Sequence, residues 1–344
     1  MRFKVHSMSL IWFLLIISIS IFVHELGHYL AARWQGVGVK NFGVGFGPTL
    51  LKFDRWGTTW RLNAIPLGGY AEIEGMMPGD SHGYARLSAP GKFFILVGGV
   101  VMNLLLAWGV LGALASIQGV PQTRAEVTEV LPGSLAEQAG FRVGDRILSL
   151  NGVKLESYDQ VTRFRQTPGE KVFVVLRDNQ EVTLRFNWDN TQGRLGIVYR
   201  AELIGYSRIN FLQGLSRAIG ETVVAVPRFV QEFVGSIARI LSGQQAQGVA
   251  GPVGIVNITG QAAQQGLGTL VGLLAGINLS LAVFNLLPIP GLDGGRILVL
   301  LANVLTGGRI KPETEARLSY GGFVFLILLI VLVTINDIRN LVGG

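Results

Sequence analysis

Four stretches of the chain are apolar over lengths typical of membrane-spanning helices, which need about 20 residues. They cover residues 8–32, 93–117, 267–287 and 321–334. The fourth is short and is expected to include residues on either side. A secretory signal peptide is the alternative for the first, because Arg2 and Lys4 precede its apolar core. That run continues to Ala32, beyond the usual core of about 7–15 residues, which favours a retained helix.

Between the second and third spans the pattern changes to short β-rich runs separated by Gly, Pro and Asn turns. The runs are AEVTEVL, RILSLNG, KVFVVLR and EVTLRF. Their composition and spacing predict strands. The segment SLAEQAG predicts a short helix, with Ser134 as the N-cap and Gly140 just past its end. This part of the chain is therefore predicted to form a small, compact β-rich domain.

A long amphipathic helix is predicted after the β-rich domain. Residues 210–241 carry apolar side chains at helical spacing, with a polar opposite face. Pro227 is expected to kink this helix or to divide it into two. Two placements remain open, because the helix could pack on the β-rich domain or lie on the membrane surface.

The composition supports an integral membrane protein. Hydrophobic residues make up 49% of the 344 residues and charged residues only 15%, against roughly 25% in soluble domains. The mean hydropathy is +0.44. The net charge is +7, but the basic residues are dispersed, so nucleic acid is not a predicted partner. The chain has no cysteine, which excludes disulfides and thiolate metal sites.

The distribution of charge predicts a topology. Lys and Arg concentrate in the segment between the first two spans and in that between the last two, whereas both tails hold fewer. The positive-inside rule places these two connecting segments in the cytoplasm. Both termini and the stretch 118–265 are then expected on the outer side.

The first span contains the sequence HELGH at residues 24–28, which fits the pattern H-E-x-x-H. On a helix, His24 and His28 share one face and can point at a single ion, while Glu25 lies beside it as a base. A chance match or a proton relay in a transporter is the alternative. Ionisable groups are costly inside a membrane, so three together favour a metal site.

A catalytic zinc site usually has three protein ligands, so one more must come from elsewhere. The best candidate is Asp293, in NLLPIPGLDGGR at the end of the third span. Prolines and glycines break the helix there, and unwound backbone is tolerated at membrane depth where it lines a cavity. The alternative is an ordinary helix end, with Asp293 in the headgroup zone.

HELGH in a first transmembrane helix, together with NLLPIPGLDGG in a later one, resembles the site-2 protease family of intramembrane zinc metalloproteases. Every specified position of N-x-x-P-x-P-x-L-D-G is present. FGVGFGPTLLKF, IPLGGY and GPVGI are similar to stretches of its bacterial branch, and VLPGSLAEQAGFRVGDRILSLNG resembles a single PDZ domain. The resemblance covers nearly the whole chain. It implies one Zn²⁺ per chain, held by His24, His28 and Asp293, with Glu25 as the general base.

The resemblance also suggests residues that contact the substrate. Asn285 is implied to hold the substrate backbone or the developing oxyanion. Asn103 matches a family asparagine in the second span, although GGVVMN has Gly where the family often has Pro. The segment RLNAIPLGGYAEIEG, with Gly68, Gly69 and Tyr70, is predicted to form a hairpin that turns at the glycine pair. Substrate would add to it as a strand, and a plain cytoplasmic hairpin is the alternative.

A peptide groove is expected in the PDZ-like domain if that domain is circularly permuted, as in the family. It would begin at Gly193 and use Arg194, Leu195, Gly196 and Ile197, whose backbone amides could bind a C-terminal carboxylate. The alternative is a steric filter against substrates with large outer domains. The resemblance favours the filter, because the family cleaves proteins already trimmed by another protease.

The sequence thus predicts an α-helical polytopic membrane protein with about four transmembrane helices and an inserted β-rich PDZ-like domain. Its predicted parts are a first membrane half, the PDZ-like domain, an amphipathic linker and a second membrane half, at residues 1–117, 118–202, 203–265 and 266–344. It is expected to cleave transmembrane protein substrates within the lipid bilayer of a bacterial inner membrane, as the site-2 step of regulated intramembrane proteolysis. A metal- or proton-translocating protein that uses the same side chains as a relay is the alternative.

Overall fold

The computed structural model describes residues 7–77, 79–155, 160–162, 167–189, 194–246, 248–310 and 312–342. Arg2, Lys4 and Gly193, which entered the predictions above, lie outside the described residues. The chain forms two compact units: Met1–Leu114 with Leu212–Gly344, and Ala115–Phe211. Among the described residues, the first unit holds most of the helices and a two-stranded sheet, and the second holds a six-stranded sheet.

The four predicted spans are confirmed as helices long and apolar enough to cross a membrane. In chain order the helices are α1 (Ser7–Trp34), α2 (Ala89–Gln118), α3 (Leu135–Gln138), α4 (Phe211–Leu241), α5 (Pro252–Gln265), α6 (Leu267–Leu286), α7 (Asp293–Leu305) and α8 (Pro312–Val342). The spans are α1, α2, α6 and α8. The fourth therefore does include residues on both sides of its apolar centre.

Helices α1 and α2 pack at glycines that let their backbones meet. A Cβ atom on Gly27 of α1 would lie 2.5 Å from the carbonyl carbon of Gly98 in α2. A Cβ atom on Gly98 would in turn lie 3.1 Å from the Cβ of Ala31. Small residues at such a crossing allow close van der Waals packing where lipid offers no hydrophobic driving force. This contact brings the HELGH turn of α1 directly against α2.

A hairpin follows α1 and consists of β1 (Val39–Arg55) and β2 (Thr58–Ile73), which pair antiparallel. The predicted turn at Gly68–Gly69 is wrong, because both glycines lie within β2. The chain turns at Trp56 and Gly57 instead, with φ angles of 54° and 73°. Positive φ at both central residues suits the two-residue turn that matches strand twist. The sequence signal was misleading because a glycine pair also serves where a strand must approach another element closely.

Such a close approach occurs at Gly69. A Cβ atom there would lie 2.6 Å from Cγ2 of Ile21 and 3.1 Å from Cγ of Glu25, both on α1. The absence of a side chain therefore lets the second half of β2 lie against the HELGH helix. This places one strand of the hairpin beside the predicted catalytic glutamate.

Helix α4 contacts two of the spans within its own unit. Trp108 Nε1 of α2 donates a hydrogen bond to Thr222 Oγ1 at 3.0 Å. Phe229 and Phe233 meet the ring of Phe284 in α6 edge to face, with centroids 5.4 and 4.6 Å apart. Helix α4 is a single helix that contains Pro227, so of the two alternatives, a kink or a division, the division into two is excluded. Both of its aromatic contacts lie just after the proline.

The start of α5, in the GPVGI segment, is held by a buried carboxylate from α8. Asp337 accepts hydrogen bonds from the backbone N–H groups of Gly251 and Gly254, at 3.1 and 2.8 Å. An acceptor at this position satisfies backbone donors that have no partner within the helix. Asn336 beside it exchanges two hydrogen bonds with the backbone of Ala246, each 3.1 Å long. The end of the last span thus fixes the loop that leads into α5.

The second unit is a β-rich domain, as the sequence predicts. Its strands are β3 (Val120–Val130), β4 (Arg146–Leu150), β5 (Val153–Lys154), β6 (Gly169–Arg177), β7 (Gln180–Trp188) and β8 (Ile197–Ser207). They are ordered β7-β6-β4-β3-β8, with β5 paired to β4. Ser134 caps α3 by accepting from the N–H of Glu137 at 3.3 Å, and Gly140 has a φ of 84°, so both predicted helix signals are confirmed. The boundary predicted at residue 202 falls inside β8.

An ion pair in this domain joins the buried carboxylate of Asp145 to the half-buried side chain of Arg177. Asp145 is 1% exposed, and both its oxygens accept from Arg177, at 2.7 Å from Nε and 2.7 Å from Nη2. The backbone N–H of Arg142 also donates to Asp145 at 2.8 Å. The hydrogen-bonded Asp145 carboxylate raises the pKa of the Arg177 guanidinium. A fork-to-fork pair of this kind fixes the loop before β4 to the end of β6.

Candidate metal centre

Three side chains that are distant in sequence converge on one point. His24 and His28 lie one turn apart on α1, and their Nε2 atoms are 3.2 Å apart. Oδ2 of Asp293, the first residue of α7, is 3.2 Å from Nε2 of His24 and 3.3 Å from Nε2 of His28. The three atoms form a nearly equilateral triangle. No other group of three His, Cys, Asp or Glu residues in the described part of the chain forms such a cluster.

This triangle fits a zinc ion. Zinc bonds to histidine nitrogen at about 2.0–2.1 Å, so the ligand atoms of a tetrahedral site lie about 3.3 Å apart. Asp293 Oδ2 is buried and makes no hydrogen bond with any described residue, although two imidazole nitrogens are near it. An orphaned buried oxygen is explained if its lone pairs face an ion. Three ligands leave a fourth position open for water, as catalytic zinc sites require.

The third ligand reaches the site because the chain breaks between α6 and α7. Helix α6 ends at Leu286, and Gly291 has a φ of 94°, a conformation that favours glycine. Gly295 lies so close to the broken segment that a Cβ atom there would be 2.6 Å from the carbonyl carbon of Ile289. The segment therefore folds back tightly, and Asp293 stands at the beginning of a new helix that faces α1.

Helix α2 contacts the Nδ1 atoms of both imidazole rings. His28 Nδ1 lies 2.8 Å from the carbonyl oxygen of Ile95. A carbonyl can only accept, so Nδ1 carries the proton and Nε2 has a free lone pair toward the ion. His24 Nδ1 lies 3.3 Å from the side-chain amide of Asn103. The Nε2 atoms of both rings thus lie close to Oδ2 of Asp293.

A cavity of about 380 Å³ opens at the three ligands. Its lining includes most of the residues predicted for the site, namely His24, Glu25, His28, Gly69, Tyr70, Asn285 and Asp293. Glu25 therefore borders the same space as the ligands. Asn285 Nδ2 donates to the carbonyl of Leu281 at 3.0 Å, which orients its amide in the helix. Gly68 and Asn103 are not among the described residues that line this cavity.

Arg296 also lines this cavity, and the sequence predictions missed it. It lies one helical turn after Asp293, and residues three apart on a helix share a face, so the spacing could have identified it. Its Nη1 contacts the sulfur of Met76 at 3.6 Å. Arg296 and Met76 also line a neighbouring cavity of about 270 Å³, which includes Tyr84 and Glu315. Burial, followed by the charge of Glu315, raises the pKa of the Tyr84 phenol above its ordinary value.

The residues predicted for a peptide groove lie at the start of β8 in the β-rich domain. Leu195 is a core residue, 2% exposed, and its carbonyl accepts from the N–H of Ala136 at 2.9 Å. Gly196 has a φ of 91° and approaches Ser134 so closely that a Cβ atom would lie 2.5 Å from the serine Oγ. Arg194 is exposed, and Ile197 is the first residue of the strand. The segment is therefore anchored to the start of α3.

Comparison with known proteins identifies the class to which this fold and site belong. Cj1068 of Campylobacter jejuni, whose name assigns it to the zinc metalloproteases, is 31% identical, with 99% of this chain and 96% of that protein covered. The zinc metalloprotease RasP of Bacillus licheniformis is 29% identical, with 97% and 99% covered. The protein is accordingly a zinc metalloprotease, a hydrolase with Zn²⁺ as its cofactor, and its four apolar helices make it an integral membrane protein.

The family follows from a second comparison. The sequence model described as Peptidase family M50 matches residues 12–329, which include both the HELGH and the LDGG segments. The chain therefore belongs to peptidase family M50, the site-2 protease family. The matched range includes all three converging side chains.

Proposed function

We propose that this protein cleaves peptide bonds in or beside transmembrane segments of membrane proteins, with one zinc ion held by His24, His28 and Asp293. The observation that carries the proposal is the triangle of ligand atoms. Two of the atoms belong to α1 and the third to α7, which lies more than 250 residues later in the chain. All three corners border a cavity whose lining includes residues of α1, α2 and α6, three helices long and apolar enough to cross a membrane. Membrane proteins are therefore the substrates that can reach the site by lateral movement.

Glu25 is proposed as the general base. A zinc ion held by His24, His28 and Asp293 would lower the pKa of a water molecule toward about 7 and would polarise the substrate carbonyl. The Glu25 carboxylate, which borders the same cavity, accepts a proton from that water and delivers it to the nitrogen of the leaving amine. Asn285 borders the cavity as well, and its amide N–H can stabilise negative charge on the carbonyl oxygen.

The second half of β2 is proposed to hold the substrate in an extended form. A helical substrate has its carbonyl groups in hydrogen bonds, so it must unwind before attack. Gly69, Tyr70 and Ala71 line the cavity, and the sheet to which they belong has two strands in the described part of the chain. A substrate segment can therefore add to this sheet by backbone hydrogen bonds. Tyr70 and Ala71 then border the peptide bond to be cut.

The β-rich domain is proposed to be a PDZ-like unit that acts mainly as a size filter. The support is the resemblance of its sequence and the presence of a capped helix beside a strand that begins at Ile197. In this proposal the substrates are already cut by another protease, as in regulated intramembrane proteolysis. The membrane is a bacterial inner membrane, with the active site toward the cytoplasm.

The test is Glu25→Gln in the full-length protein, with cleavage of a membrane substrate and bound zinc measured together. The expected result is loss of cleavage by about 10²–10⁴-fold with zinc retained, because a base is removed and no ligand is changed. Asp293→Asn is the matched ligand variant and is expected to lose zinc. Undiminished cleavage by the Glu25 variant would refute the proposed role, and it would favour a metal-translocating protein only if zinc transport were also observed.

A further inference from the structure

Helix α2 contributes no ligand to the proposed metal site, yet one of its faces is shaped around the two imidazole rings. Ile95, Gly99 and Asn103 are spaced four residues apart and therefore share that face. Ile95 supplies the carbonyl that fixes His28. Gly99 leaves room for both rings, since a Cβ atom there would lie 2.5 Å from His28 Nε2 and 2.6 Å from His24 Cε1. Asn103 is the third residue of that face.

Asn103 is fully buried, with 0% of its surface exposed. Its Nδ2 lies 3.3 Å from His24 Nδ1, and its Oδ1 is buried with no hydrogen-bond partner among the described residues. A buried, unpaired amide oxygen is costly. A half turn of the amide about its last bond exchanges oxygen and nitrogen at nearly the same positions. In the orientation shown, Oδ1 faces away from His24 and has no hydrogen-bond partner among the described residues. The contact with the ring of His24 therefore decides between the two orientations of the amide.

The chemistry of the ligand selects one orientation. His24 can bind an ion through Nε2 only if that nitrogen is bare, and the proton of the neutral ring then sits on Nδ1. A protonated Nδ1 needs an acceptor. The Nδ2 group of an amide is a donor, so its hydrogens would repel the hydrogen on Nδ1 of His24. The amide oxygen Oδ1 can accept that hydrogen instead.

We infer that Asn103 is a positioning residue whose Oδ1 accepts a hydrogen bond from Nδ1–H of His24 and so fixes Nε2 as the metal ligand. The inference rests on the ligand set proposed above. It gives His24 the same kind of support that the Ile95 carbonyl gives His28, so each histidine ligand has one acceptor on α2. It also assigns Asn103 a role different from the substrate contact that the sequence suggested, in agreement with its absence from the lining described for the cavity.

The test is zinc affinity, measured by competition with a chelator in the purified full-length protein at fixed pH. Asn103→Leu removes the acceptor at similar volume and is expected to weaken zinc binding by roughly 10–100-fold. Asn103→Asp keeps an acceptor and is expected to bind zinc at least as tightly as the wild type. The matched control is Asn278→Leu, because Asn278 is also a fully buried asparagine in a span and its amide contacts Ser20 instead of a metal ligand.

Each outcome separates the inference from its alternatives. Wild-type affinity in Asn103→Leu overturns it, and so does an equal loss in Asn278→Leu, which would indicate general damage to packing. If Asn103→Leu does not fold, Asn103→Asp decides alone, and weaker binding than in the wild type overturns the inference. His24→Ala identifies the cause of a failure. If it leaves zinc affinity unchanged, the ligand set itself is wrong, whereas loss of zinc there but not in Asn103→Leu refutes only the role of Asn103.

Discussion

At the scale of single residues, the site depends as much on side chains that are missing as on those that are present. Gly69 lets a strand lie against Glu25, and Gly99 lets two imidazole rings lie against α2. Neither position needs a special backbone angle, so the requirement is space. Conventional site prediction looks for reactive groups and overlooks such positions, although a single methyl group would displace a ligand.

Gly99→Ala is therefore expected to lower zinc occupancy, because its Cβ would overlap His28 Nε2 and His24 Cε1. We expect at least a tenfold loss of zinc affinity, since ligands held about 1 Å out of place no longer share one ion. The measurement is metal analysis of the purified protein after dialysis. Gly109→Ala in the same helix is the control, because a Cβ atom there meets nothing within 4 Å. Equal zinc content in the two variants would contradict this account of Gly99.

At the scale of elements, the break between α6 and α7 and the capping of α5 perform related tasks. Each holds irregular backbone in place next to apolar helices, where unpaired polar groups are costly. In the first case, glycines allow the chain to fold back so that Asp293 reaches α1. In the second, Asp337 of α8 satisfies the N–H groups at the start of α5, including that of Gly251.

Asp337→Ala is expected to destabilise the protein because two buried N–H groups lose their acceptor. Loss of an N-cap typically costs about 0.5–2 kcal/mol, and burial places this site at the upper end. The measurement is thermal unfolding in detergent, where a lower Tm is expected. Arg339→Ala is the control, since Arg339 is exposed on the same helix. A Tm unchanged by both substitutions would show that the cap contributes little.

At the scale of the whole molecule, all three proposed ligands belong to one compact unit, and the Asp145–Arg177 ion pair belongs to the other. The two units have separate cores in the described part of the chain. Zinc binding and the stability of the β-rich domain are therefore expected to respond to different substitutions.

Asp145→Asn is expected to destabilise the β-rich domain by about 1.5–3 kcal/mol, because the buried Asp145 side chain loses the charge that strengthens its hydrogen bonds with Arg177. Limited proteolysis measures this as faster cleavage within residues 115–211, while zinc content stays at the wild-type level. Glu170→Gln is the matched control, since the Glu170–Arg185 pair is exposed and contributes little. A loss of zinc in Asp145→Asn would contradict the independence of the two units.

The predicted topology gives a further expectation for the whole molecule. A reporter inserted near residue 160 is expected on the outer side of the membrane, because two spans precede it and the basic residues concentrate in the segments predicted to be cytoplasmic. Alkaline phosphatase, which is active only outside the cytoplasm, provides the measurement. A matched insertion near residue 80 is expected to be inactive. The opposite pattern would invert the predicted orientation of the active site.

The sequence by itself determined the spans, the β-rich insertion and the two halves of the metal site. Apolar length, strand composition and the spacing of His24 and His28 are local properties, which act over one element. The hairpin turn was predicted at Gly68–Gly69 and lies at Trp56–Gly57, because a glycine pair suits both a turn and a close approach. Only the tertiary structure decided which of these applies, because a close approach is defined by a second element.

The same reason explains what else the sequence left open. Three features of the site join residues on different helices. They are the convergence of Asp293 with two histidines, the space that Gly99 leaves for the two imidazole rings, and the contact of Asn103 with His24. Their geometry depends on how the helices cross, and a crossing is set by packing along whole faces. The residue types needed for zinc chemistry were thus readable from the chain, whereas the positions that make them one site were decided by the fold.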